Sequence, residues 1–79
     1  MTRQKTLEAI TERMHKPENH EKYQALNEES RLFWHYKRAK YSLQALLLKS
    51  SNARISLLES DFDVSIREIK RILESEGWA

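Results

Sequence analysis

Seventy-nine residues, with 14 lysines and arginines against 12 aspartates and glutamates, describe one small domain of net charge +2; such a chain buries only about 60% of the surface it exposes when unfolded. The absence of cysteine excludes disulfides and thiolate metal sites. One glycine and one proline among abundant Leu, Glu, Lys, Arg and Ala exclude a strand-and-turn architecture and predict an all-α domain, with association into a homodimer expected to supplement so small a core.

Taken in chain order, residues 1–16 hold an N-terminal helix over about 2–15, with Leu7, Ile10 and Met14 on one face. Its acidic residues interrupt any continuous apolar run. It therefore reads as neither a signal peptide nor a membrane span, and a cytosolic location is expected. Lys16-Pro17 ends this helix, because the residue before proline avoids the α conformation. Pro17 suits the first turn of the next helix, and Glu18 and Glu21 suit its positive N-terminal end.

That next helix is expected over residues 17–49, a length of roughly 50 Å at the usual rise. A compact domain of this size has a radius of gyration of about 12 Å. A straight helix of that length would overhang its own domain, so either it breaks near residues 27–30, where capping side chains cluster, or it pairs with another chain. Pairing is the expectation. Leu32, Tyr36, Ala39, Leu43 and Leu46 form a core stripe at coiled-coil-like spacing. Nearly opposite, Trp34, Lys37, Arg38 and Tyr41 follow the i, i+3, i+4, i+7 rule, and Leu48 continues them. An aromatic and basic stripe opposite a core stripe is a candidate binding surface, since Trp, Tyr and Arg supply most buried anchors at interfaces. The competing reading is that Trp34 packs beneath another helix of the same chain.

Residues 53–77 are expected to form a helix-turn-helix-like pair. Ser50-Ser51-Asn52 is the predicted turn before a short helix over about 53–60, which carries Ile55 and Leu58 inward. A tight turn follows at Phe62-Asp63-Val64, after which Ser65-Ile66-Arg67-Glu68 has the order of a capping box. Ile66, Ile69, Ile72 and Leu73 then define one buried stripe, with Arg67, Lys70 and Arg71 outside it. Gly77 suits the end of this helix, and Trp78 is placed to fold back on it.

Residues 58–77 resemble the helix-turn-helix of bacterial transcription regulators. There a hydrophobic residue, a turn residue, Val-Ser, three variable residues, an aliphatic and a basic-X-Leu succeed one another, here as Phe62, Asp63, Val64, Ser65, Ile69 and Arg71-Ile72-Leu73. Glu59 stands where such regulators carry a small residue, and Asp63 where they carry glycine. The resemblance implies a transcriptional regulator in which Ser65 caps the recognition helix and Arg67, Lys70 and Arg71 contact DNA. Arg54, Arg31, Lys37 and Arg38 would add phosphate contacts.

Charge falls in blocks. Residues 31–54 carry Arg31, Lys37, Arg38, Lys40, Lys49 and Arg54 with no acid, whereas residues 55–79 carry three bases against six acids. The positive field is therefore centred away from the expected recognition helix, although cations on phosphates dominate nucleic-acid affinity. A second class of function follows from that offset: an inhibitor, antirepressor or adaptor that docks a partner protein through the face containing Trp34, with blockwise charge guiding the docking.

Catalysis and cofactors are not expected. His15, His20 and His35 lack the spacing of a metal site, one glycine cannot build a phosphate-cradling loop, and no serine sits in a recognisable nucleophile elbow.

Overall fold

The computed structural model describes residues 2–48 and 54–79, and among them every regular element is helical. The four α-helices are α1 (Arg3–Met14), α2 (His20–Gln24), α3 (Arg31–Leu48) and α4 (Ile55–Ser75), with a 3-10 turn at Pro17–Asn19 before α2. The all-α fold is as expected. The internal division of the chain is not.

Thr2 starts α1 by accepting the Lys5 amide on its hydroxyl, at 3.2 Å. Lys16 then takes an extended conformation before Pro17, which removes the option of continuing the helix. The long helix over 17–49 does not form. After α2, Asn27 accepts the Glu29 amide on Oδ1 at 2.8 Å, Ser30 accepts the Asn27 amide on its hydroxyl at 3.2 Å, and the Ser30 amide returns to the Asn27 carbonyl at 3.0 Å. These short polar side chains give the backbone local partners that compete with a helical ladder, so the chain turns here and α3 starts afresh. With 18 residues α3 fits inside a molecule 40 Å long, and the overhang that called for a second chain is absent.

The second correction concerns α4. It runs unbroken from Ile55 to Ser75, through the residues expected to form a short helix, a turn and a cap. Phe62, Ser65, Ile66, Ile69, Ile72 and Leu73 are all buried along one continuous stripe, and no glycine or proline interrupts them. Glu59 and Asp63, the two departures from the regulator pattern, lie one helical turn apart and both engage Arg3, each at 3.2 Å. The hydrogen bonds that Arg3 donates to Asp63, then the negative fields of both carboxylates, raise the Arg3 pKa despite some desolvation. The turn expected at Ser50-Ser51-Asn52 lies outside the described residues.

Helix α4 ends as its sequence predicts. Gly77 adopts φ +72°, while the Trp78 amide reaches the Leu73 carbonyl at 2.9 Å and the Gly77 amide reaches Glu74 at 3.3 Å. This is a Schellman cap, in which a left-handed residue lets the chain fold back onto its own last carbonyls. Trp78 is consequently buried in the core.

Ion pairs set the helix directions. Arg31 meets Glu68 and Arg38 meets Asp61, so α3 and α4 are antiparallel. Arg3 meets Asp63 and Arg13 meets Glu74, so α1 lies parallel to α4. The core between these three helices is built from Leu7, Ile10 and Met14, from Leu32 and Ala39, and from the buried stripe of α4. Tyr36 and Leu43 pack against its edge, and the Tyr36 hydroxyl meets Thr11 Oγ1 at 2.6 Å. Because Thr11 already donates to the Leu7 carbonyl, Tyr36 is the donor in that contact. The C-terminal residues are clasped against the end of α1. Buried Asn19 donates to the Arg13 carbonyl at 2.6 Å and accepts the Ala79 amide at 2.8 Å, while the Arg13 guanidinium reaches the Trp78 and Ala79 carbonyls.

Candidate functional site: the exposed face of the third helix

Helical spacing places Trp34, Lys37, Arg38 and Tyr41 on the side of α3 away from its core stripe. Together with His35 they line one shallow concave surface. Trp34 is 53% exposed and Tyr41 68% exposed, so neither is an anchor for another helix of this chain. Trp34 is nonetheless held in place. Its indole N–H donates to the Glu28 carbonyl in the turn before α3, and its ring meets Phe33 edge-on at 5.7 Å. The Lys37 ammonium lies 5.2 Å from the Phe33 ring centre and 5.4 Å from that of Trp34, within cation–π range. The helix start thus presents a braced aromatic ring with a cation beside it.

Arg67, Lys70 and Arg71 are exposed at i, i+3 and i+4 on one face of α4, but Ser65 and Arg54 do not join them. Ser65 is fully buried, and its hydroxyl has no hydrogen-bond partner, so it caps nothing. Arg71 turns toward Glu68 at 3.5 Å, whereas Lys70 lies on the side of α4 nearer α1, beside a concavity shared with Ala9 and Ile10. Arg67 is exposed between them. Arg54 stands at the far end of α4, about 20 Å away along the helix axis from Arg67. Arg31 is exposed and pairs with Glu68 at 3.8 Å, close to the Trp34 face.

The burial of Ser65 gives a test of opposite sign for the two local structures. Ser65→Ala is expected to leave stability unchanged or raise it by up to about 1 kcal/mol, because a buried hydroxyl without a partner is replaced by an apolar group. An N-cap serine would instead lose about 1 kcal/mol. Urea denaturation of the two proteins distinguishes these results.

Two exposed residues of α4 were missed as candidates. Leu57 and Val64, 60% and 42% exposed, lie seven residues apart on the flank that carries Asp61 and Glu68 toward α3. Reading a turn at Val64 concealed this spacing; the i, i+7 recurrence of Leu57, Val64 and Arg71 was the available signal. Among the described residues no helix is long and apolar enough to cross a membrane. No protein-family model matches the chain, and neither the curated proteins nor the solved structures compared with it contain a match.

Proposed function

We propose that the protein is a cytosolic, non-catalytic regulator, an inhibitor, antirepressor or adaptor, that docks a partner protein through the Trp34, Lys37, Arg38 and Tyr41 face of α3. The braced exposure of Trp34 carries this reading. An aromatic ring already held in one orientation loses little conformational freedom on binding, which is how an interface anchor gains affinity. Lys37 and Arg38 supply charge for steering at its edge. The unbroken course of α4 favours docking over DNA reading through residues 58–77, which would use a separately oriented recognition helix.

The test is affinity capture from the cells that produce the protein, with bound protein and nucleic acid both identified. Trp34→Ala is expected to weaken capture by about 30-fold or more, the effect of losing an anchor worth about 2 kcal/mol. Arg38→Ala is expected to weaken it less and to reduce its salt dependence. Unchanged capture by both variants, or recovery of nucleic acid alone, would overturn the reading.

A further inference from the structure

We infer that the partner presents an acidic amphipathic helix, which lies in the furrow between α3 and α4 on the side opposite α1 and completes a four-helix arrangement. This inference rests on the partner-docking reading and extends the site to α4.

The register of the two helices carries it. The Arg31–Glu68 and Arg38–Asp61 pairs, both at 3.8 Å, fix which residues stand level across the furrow. On antiparallel helices this brings Trp34 level with Val64 and Tyr41 level with Leu57. Two apolar rungs therefore alternate with two ion-pair rungs, each about 5 Å from the next along the axis. Four of the exposed large hydrophobic residues stand on these rungs, while α1 covers only the other side of the α3 and α4 pair. The apolar rungs are seven residues apart on each helix, which is the heptad repeat of an incoming helix with one apolar residue for each.

Charge selects the occupant. Asp61 and Glu68 are already engaged, Glu68 by both Arg31 and Arg71. Lys37 has no carboxylate partner among the described residues, and α3 contains no acid of its own. The furrow thus carries three bases, Arg31, Arg38 and Arg71, against two acids, and Lys37 adds a further base on the outer side of Trp34; this positive surplus suits glutamates and aspartates flanking the apolar stripe of a partner helix. A second copy would bring the same surplus of bases to the same place, and like charges across an interface are unfavourable. A nucleic acid would meet the bases but leave Val64 and Leu57 against a phosphate backbone that offers them no apolar contact.

The experiment places the photo-cross-linker p-benzoylphenylalanine at Tyr41 on α3, at Val64 on α4 or at exposed Glu8 on α1, in the full chain, and maps cross-linked segments in the producing cells by mass spectrometry. Tyr41 and Val64 are expected to trap the same partner segment, acid-rich and with apolar residues at helical spacing, while Glu8 traps none. A synthetic peptide of that segment is then titrated against the protein. Lys37→Glu and Arg71→Glu should each weaken its binding at least tenfold, and raising sodium chloride from 50 to 500 mM should weaken it similarly. Cross-linking from Tyr41 without Val64 would sink the furrow while leaving docking on α3 intact. A trapped segment that is basic or non-helical, a second copy, or nucleic acid would also overturn the inference. Absence of any cross-link, with capture unaffected by Trp34→Ala, would remove the docking reading itself.

Discussion

Val64→Pro is expected to destabilise the protein by at least about 3 kcal/mol and to lower its helical circular dichroism. Val64 lies in the interior of α4, where proline removes one rung of the hydrogen-bond ladder and its ring collides with the carbonyl one turn earlier. The Val64 side chain is 42% exposed, so lost packing contributes little to this effect. A domain of this size has a total stability of about 4 to 12 kcal/mol, so the loss would remove about a quarter to three quarters of it. Val64→Ala serves as the control and should change stability by less than about 1 kcal/mol. The comparison is informative because a turn at residues 62–64 would accept proline immediately before a helix cap. Urea denaturation showing a cost below about 1 kcal/mol would restore the turn and, with it, a separate recognition helix.

Phe62→Ala is expected to cost about 3 to 5 kcal/mol, the range for truncating a buried aromatic side chain. Phe62 is 1% exposed and belongs to the core shared by α1, α3 and α4. It also lines the concavity bounded by Thr2, Arg3 and Thr6 of the α1 end, so its loss undermines the seat of that helix as well as the α3 and α4 contact. For a domain of this length the corresponding fall in Tm is at least about 12 °C. Phe62→Leu, which refills most of the volume, should recover more than half of the loss. Thermal unfolding monitored at 222 nm checks both variants. A fall of only a few degrees for Phe62→Ala would mean that α1 does not close over this residue.

The legible part of this fold was its apolar periodicity. The all-α architecture, the inward face of α1, the glycine cap of α4 and four of the five residues of the α3 core stripe, Leu32, Tyr36, Ala39 and Leu43, follow from residue type and spacing, whereas Leu46 is only half-buried and Ser42 is buried outside that stripe. Local polar motifs were less decisive. Asn27 and Ser30 do end a helical run, as one of the two alternatives for that segment held, and they do so through hydrogen bonds within four residues. Ser65 has the same chemistry but no break in the apolar stripe before it, so packing against the other helices overrode its capping tendency. The exposure of Trp34, Lys37, Arg38 and Tyr41 could be read because they lie on one helix. Which residues of α4 stand beside them depends on the register between two helices, a tertiary quantity that no spacing within either segment encodes.

The clasp of Asn19 and Arg13 on Trp78 and Ala79 bears on the order in which the molecule assembles. The α3 and α4 hairpin closes over a short stretch of chain, whereas the bond from Ala79 to Asn19 spans 60 residues. Closing the longer loop costs roughly 1 kcal/mol more in chain entropy. The hairpin is therefore the expected nucleus, with α1 and residues 78–79 expected to settle late. Since each secures the other, they also leave together. Hydrogen exchange is therefore expected to show α1 and residues 78–79 opening together, at a lower free energy than the α3 and α4 pair.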